Sequence, residues 1–161
     1  MSEPRVGIGF DSHRFVDGRP LMLGGVRIPF DRGLAGHSDA DAPVHALIDA
    51  LLGAAGAGDI GLFFPDDDEA HRNASSLDLL DRVMEKVRER GYRVGNADLV
   101  VIAERPRIAP HASAMRAALA KRLGVEPESV SIKGKTAEGM GAIGAGEGIA
   151  AHAVVLLFPR G

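Results

Sequence analysis

Hydrophobic positions change period along the chain, and each change predicts an element. Val6-Gly7-Ile8-Gly9-Phe10 is a short apolar run that reads as a strand leading into Asp11-Ser12-His13-Arg14. Leu21 to Pro29 reads as a small hairpin, because Gly24-Gly25 supplies the positive φ angles of a two-residue turn. Residues 30 to 41 are loop-like, with glycines, His37, Ser38 and three aspartates. The period then becomes helical: Val44, Leu47, Ile48, Leu51, Leu52 and Ala55 keep i, i+3, i+4, i+7 spacing. Asp39 or Asp41 stands where a cap is needed, Pro43 suits the first turn, and Gly53, Gly56 and Gly58 end the helix. A polar loop runs from Asp59 to His71. A second helix is predicted from about Ser75 to Arg90, with Leu77, Leu80, Val83, Met84 and Val87 on one face and Gly91 as its stop. Val94 to Ala103 follows as a strand whose Leu99-Val100-Val101-Ile102 is apolar on both faces, as for a buried strand. Pro106 stops it, and Pro110 opens a third helix with Met115, Leu119 and Leu123 inward. Ser129 to Lys133 is a strand, a glycine-rich segment follows, and Ile149 to Phe158 is an almost unbroken apolar strand.

This order predicts an α/β two-layer sandwich, a mixed four- to five-stranded sheet with helices on one face. No helix remains to cover the other face, so subunits are expected to pack there sheet to sheet. With 161 residues and no repeat or linker, residues 1–161 read as one domain. The chain is 45% hydrophobic and 25% charged, which is neither a disordered nor a membrane composition. It has no cysteine, which excludes disulfides and thiolate metal sites and fits a cytoplasmic location. A net charge of −3, no Trp and one Tyr argue against nucleic-acid binding. No apolar run is long enough for a membrane span, and strand pattern begins within five residues of Met1, so no leader is expected.

Candidate chemistry gathers around Asp11 and His13. They alternate onto one face of a strand, about 7 Å apart. His45 lies on the first helix at the edge of its apolar stripe, with Asp41 and Asp49 four residues to either side. A carboxylate and two imidazoles make three metal ligands, which leaves an open fourth position of the catalytic kind. A partly buried, hydrogen-bonded His45 without metal is the competing reading. His37-Ser38 precedes this helix as a hydrogen-bonding pair beside the candidate metal. Two glycine motifs fail. Gly139-Met140-Gly141-Ala142-Ile143-Gly144 matches G-x-G-x-x-G, but no helix fits before the next strand. Gly134-Lys135-Thr136 resembles the end of a phosphate loop whose first glycine falls on Ser129. A looser reading keeps Lys133, Lys135 and Thr136 as phosphate contacts. Asp66-Asp67-Asp68 reads as a solvated loop, and Arg105-Pro106-Arg107 as a surface turn.

Taken together these parts resemble the 2-C-methyl-D-erythritol 2,4-cyclodiphosphate synthases of the non-mevalonate isoprenoid pathway. The matching stretches are Gly9-Phe10-Asp11-Ser12-His13, Leu23 to Pro29, Gly36-His37-Ser38-Asp39-Ala40-Asp41, His45 to Ala54, Gly58-Asp59-Ile60-Gly61, Phe64-Pro65-Asp66 with Asp68, and Gly146 to Ala150. The resemblance implies a cytoplasmic homotrimer with active sites between subunits and the sheets turned inward. It implies an enzyme that converts 4-diphosphocytidyl-2-C-methyl-D-erythritol 2-phosphate to a cyclic diphosphate and CMP. Zinc on Asp11, His13 and His45 is implied, with magnesium or manganese on Glu138. His37 and Thr136 match transition-state-stabilising positions. Asp11, His13, His37 and Ser38 match substrate-binding positions. Asp59, Ile60 and Gly61, with Phe64, Pro65, Asp66, Asp67 and Asp68, match the segments around the erythritol. Ala103, Glu104, Arg105, Pro106, Arg107, Ile108 and Ala109, with Lys135, Thr136, Ala137 and Glu138, match the nucleotide-binding segments. Some relatives are fused to the preceding cytidylyltransferase, which implies a possible contact with that enzyme. Lys135 and Asp67 each replace an expected Thr. Ala142 and Ala145 replace a Phe and an Arg that line a central channel in some members, so isoprenoid diphosphate binding is not expected here. A zinc phosphohydrolase and a metal-stabilised trimeric scaffold are the rival readings.

Overall fold

Strand β1, Arg5–Val16, carries two different faces. Its odd-numbered residues Gly7 and Gly9 are buried, whereas Val6, Ile8 and Phe10 are 69%, 72% and 52% exposed. The structure is a computed structural model and describes residues 3–65, 69 and 74–161. After β1 come β2 (Leu21–Leu23), β3 (Val26–Ile28), β4 (Gly33–Leu34), α1 (Ala42–Ala54), α2 (Ile60–Phe63) and α3 (Ser76–Glu89). Then follow β5 (Tyr92–Ile102), α4 (Ala112–Leu123), β6 (Val130–Lys135), α5 (Gly141–Gly144) and β7 (Gly148–Pro159). The main sheet has five strands in the order β4-β1-β7-β5-β6, and β2 pairs with β3 apart from it. Only the β5–β6 pair of that sheet is parallel, joined by the α4 crossover, so the sheet is mixed as expected.

Helix α1 lies against β1 and β7, α3 against β5, and α4 against β6. The approach of α1 to β1 is unusually close. A Cβ built on Gly9 would stand 1.8 Å from the Ala46 carbonyl oxygen, and one on Gly7 would stand 1.9 Å from that of Ala50. Ala46, Ala50 and Ala54 recur every fourth residue and face these two glycines, so helix and strand meet backbone to backbone. The larger stripe of Leu47, Ile48, Leu51 and Leu52 is fully buried. On β7, Ile149, Ala151, Ala153, Val155 and Leu157 face the same core.

Several boundaries differ from the sequence reading. Asp41, rather than Asp39, caps α1: its side chain accepts from the Val44 N–H. Gly53 lies inside the helix, and the chain turns away at Gly56 (φ +67) and Gly58 (φ +92). The Gly24-Gly25 turn has the expected positive φ at both residues, +62 and +79. The stretch read as pure loop after Asp59 contains the single helical turn α2. The glycine-rich segment likewise forms one turn, α5, where no helix was expected; β7 starts four residues later, too soon for a dinucleotide fold. Val100 and Ile102 are half-buried rather than enclosed, because their face of β5 has no helix over it.

Candidate active site

The alternation of β1 that buries Gly7 and Gly9 also turns Asp11 and His13 toward α1. His45 sits in the first turn of α1, and the glycine–alanine contact brings that turn down onto the strand. The three side chains therefore converge. The Asp11 Oδ2 lies 2.7 Å from the His13 Nε2 and 3.2 Å from the His45 Nδ1. Their ligand atoms all lie within 4.8 Å of one another, and among the described residues this is the group of His, Asp and Glu side chains that could hold a metal ion. The two rings meet edge to face at 5.5 Å.

The donor set fits a divalent cation. Burial raises the cost of a charge on Asp11, yet the hydrogen bonds and charges of His13 and His45 outweigh it and hold the carboxyl down at about 2. Burial likewise opposes a charge on His13, and the Asp11 carboxylate overcomes it and raises the imidazole's proton affinity, helped by the Ala35 carbonyl. The lone pairs that share a proton here are the ones a metal ion would take in its place.

Asp41 builds the frame. It accepts from the Gly24 N–H (2.8 Å), the Gly25 N–H (2.7 Å) and the Val44 N–H (3.2 Å), tying the β2–β3 turn to the start of α1. Burial pushes its carboxyl up to about 6 against those three donors. Arg19 donates to the carbonyls of Gly36 (2.8 Å) and Ser38, stapling the loop that carries His37. His37 is exposed, while Ser38 is buried with its Oγ 3.0 Å from the His45 Nε2. On the other side, Asp49 accepts from the Ile60 N–H at 2.8 Å and so fastens the Asp59–Gly61 turn to α1. Burial raises the Asp49 carboxyl, and the charges of Asp59 and Asp11 add to the rise. Asp59 caps α2 through the Leu62 N–H. The ring of Phe64 is buried, and Pro65 is exposed. Asp66, Asp67 and Asp68 lie outside the described residues.

A second cluster forms across the sheet. Ala103, Glu104, Pro106, Arg107, Ile108 and Ala109 line a cavity of about 160 Å³ together with Gly134, Lys135 and Thr136. Gly134 permits this: a Cβ there would stand 2.7 Å from the Ile108 Cβ. Arg105 instead lines a neighbouring cavity of about 570 Å³ with Glu104, Phe15, Phe30 and Arg32. Glu104 is an organiser as well, its Oε1 accepting from the Ala137 N–H (2.8 Å) and the Gly139 N–H (3.3 Å). Glu138, between them, adopts a left-handed φ of +54 and is not part of the Asp11 group. Lys133, read as a phosphate contact, donates to Asp98 instead. Sequence reasoning missed Ser76, whose Oγ lies 2.8 Å from the His45 Nε2, and used Asp39 only as a possible cap of α1. Nothing local marks a serine 31 residues from His45 as its neighbour.

Comparison with known proteins identifies relatives along nearly the whole chain. The family model described as YgbB family matches residues 4–158. The "Bifunctional enzyme IspD/IspF" of Desulforudis audaxviator is 60% identical over 152 residues, covering 94% of this chain and 39% of its own length. The chain thus spans about two fifths of that relative. A "2-C-methyl-D-erythritol 2,4-cyclodiphosphate synthase" of Symbiobacterium thermophilum is 59% identical over 155 residues, covering 96% of this chain and 99% of its own. The solved "IspF (Plasmodium falciparum) CDP complex" superposes with a TM-score of 0.87 at 32% identity, over 100% of this chain and 99% of that one.

Proposed function

The chain belongs to the YgbB family, and from that premise we propose that it is a 2-C-methyl-D-erythritol 2,4-cyclodiphosphate synthase. An oxygen of the substrate's 2-phosphate forms a bond to the β-phosphorus. The bond from the β-phosphorus to the oxygen bridging the α-phosphorus breaks, and CMP leaves with that electron pair. No water enters and no protein nucleophile is required.

Asp11, His13 and His45 would hold zinc, and Glu138 a magnesium or manganese ion. When bound, these ions neutralise phosphate charge and orient the reacting oxygens. The chain's own groups do the rest. Two anions that repel must be held at bonding distance, so positioning is the main task. The cavity between Ala103–Ala109 and Lys135–Thr136 receives the cytidine and its phosphates, with the Lys135 ammonium countering their charge. The CDP named in the complex of a structural relative supports this use. By the family resemblance, Asp59, Ile60, Gly61, Phe64 and Pro65 would contact the erythritol, a role the resemblance also gives Asp66, Asp67 and Asp68; His37 and Thr136 would steady the transition state, and Ser38 would bind substrate.

The whole chain acts as one domain and assembles as a cytoplasmic trimer, its open sheet face turned inward. Within one chain, Asp11, Ala151, Val101 and Gly134 form one register row across four strands, which separates Asp11 from the nucleotide cavity by about 14 Å. A site built between neighbouring subunits shortens that gap. The fused relative makes contact with the preceding cytidylyltransferase a further part of the proposal.

The observation that carries the reading is the convergence of one carboxylate and two imidazoles within 4.8 Å beside a helix-tethered turn. Incubation with the cytidyl substrate, Zn²⁺ and Mg²⁺ tests it. Phosphorus NMR should show CMP and a cyclic diphosphate; a linear hydrolysis product would make the chain a phosphohydrolase instead.

A further inference from the structure

We propose that Ser76 and Asp39 are positioning residues that decide which nitrogen of His45 faces the metal. The inference rests on the metal reading above and adds two residues to it.

Ser76 is fully enclosed, 0% exposed, at the start of α3. Its hydroxyl donates to the Asp39 Oδ1, and its N–H donates to the Asp39 Oδ2 at 3.1 Å. A carboxylate only accepts, and a hydroxyl has one proton to give. Once that proton is spent on Asp39, the Ser76 Oγ meets the His45 Nε2 at 2.8 Å as an acceptor. The Nε2 must therefore carry hydrogen. In a neutral imidazole, which has a single N–H, the Nδ1 3.2 Å from the Asp11 Oδ2 is then the bare nitrogen; when the ring is charged, that Nδ1 donates to the carboxylate instead. The chain Asp39, Ser76, His45 thus selects the tautomer that presents a lone pair to a cation, and fixes the ring plane.

The device joins the turn before α1 and the helix itself to the start of α3, more than thirty residues on. Ser75 makes no side-chain cap of its own on α3, and Asp39 serves the Ser76 N–H in its place. Asp41, two residues on, caps α1. Ala40 between them takes φ +55, which aims the two carboxylates at different helices. One short turn therefore sets the start of both helices and, through Ser76, the orientation of a metal ligand.

Zinc affinity of the full chain, measured by chelator competition without substrate, tests the assignment. S76A should bind zinc about tenfold more weakly, the low end of the usual range for such partners, because the Ser38 Oγ stays 3.0 Å from the Nε2. D39N keeps an acceptor and should lose less. Nitrogen NMR of the metal-free chain supplies a readout that packing alone would not move. In alkaline buffer, with the ring neutral, His45 should be the Nε2–H tautomer in the native protein and a mixture of tautomers in S76A. Zinc binding within twofold of native in both variants, or an Nδ1–H tautomer in the native chain, would overturn the proposal. A native chain that binds no zinc yet shows the Nε2–H tautomer would overturn the metal reading and leave the positioning role standing.

Discussion

The two faces of β1 share a backbone and have opposite fates. On one, Gly7 and Gly9 surrender their side chains so that α1 can sit directly on the strand, and Asp11 and His13 project beside the helix's first turn. On the other, Val6, Ile8 and Phe10 stand exposed, and the Phe10 ring lies 4.9 Å from that of His152 on the next strand. The first face is closed by α1, and the second is open to solvent. The lesson is that small residues on one face let helix and strand approach closely and bring ligands together, while the large apolar residues on the other face form an exposed patch of the kind the proposed trimer would cover.

Breaking the closed face should do the most harm. In G9A the new Cβ meets the Ala46 carbonyl at 1.8 Å, so α1 must move off the strand. Loss of about 3 kcal/mol in denaturant unfolding is expected, with zinc lost as well, because His45 moves with the helix. Unchanged stability would mean that α1 and β1 are not so closely joined. H45A removes one ligand from the same face and leaves the packing alone. It should lower zinc affinity and turnover at least about 100-fold while assembly survives, checked by metal analysis and sedimentation. Full zinc in that variant would break the comparison.

The open face answers to a different readout. I8D should shift the chain from trimer to monomer in sedimentation, with the zinc of each chain retained. An I8D chain that remains trimeric would move the interface elsewhere. The closed face also has its own pH dependence. Asp11 is held at about 2, so in the metal-free chain its contribution to stability is complete above the ordinary carboxyl range and is lost as pH falls toward 2. His13 is raised, so its contribution is complete below the ordinary imidazole range and is lost as pH rises through its elevated value. Zinc must displace the His13 proton, and its affinity should therefore fall about tenfold per pH unit below that value. A flat profile in chelator competition would count against His13 as a ligand. The smallest effect is expected from A145R, which lies outside the closed face and should leave cyclisation unchanged.

Much of the site was legible because its signals are local. Period-2 alternation put Asp11 and His13 on one side, and the helical period put His45 at the edge of the α1 stripe. Gly24-Gly25 announced its turn by residue type alone. The resemblance paired Ala103–Ala109 with Lys135–Glu138; the cavity gathers most of them, while Arg105 turns into the adjoining space and Ala137 and Glu138 lie off its lining. Lys133 misled for the opposite reason: a lysine near candidate phosphate ligands looks free until Asp98, 35 residues earlier, is seen beside it.

The sequence by itself determined which residue types alternate, where the three long helices lie, and which ligands were on offer, since propensity and periodicity depend on neighbours in the chain. Tertiary structure alone decided that Ala46 and Ala50 seat on Gly9 and Gly7, that Ser76 and Asp39 stand behind His45, and that Val100 keeps a half-open face. The first two outcomes are meetings of residues tens of positions apart, set by close packing and by the need of buried polar groups for a partner, and the third depends on where the helices come to lie.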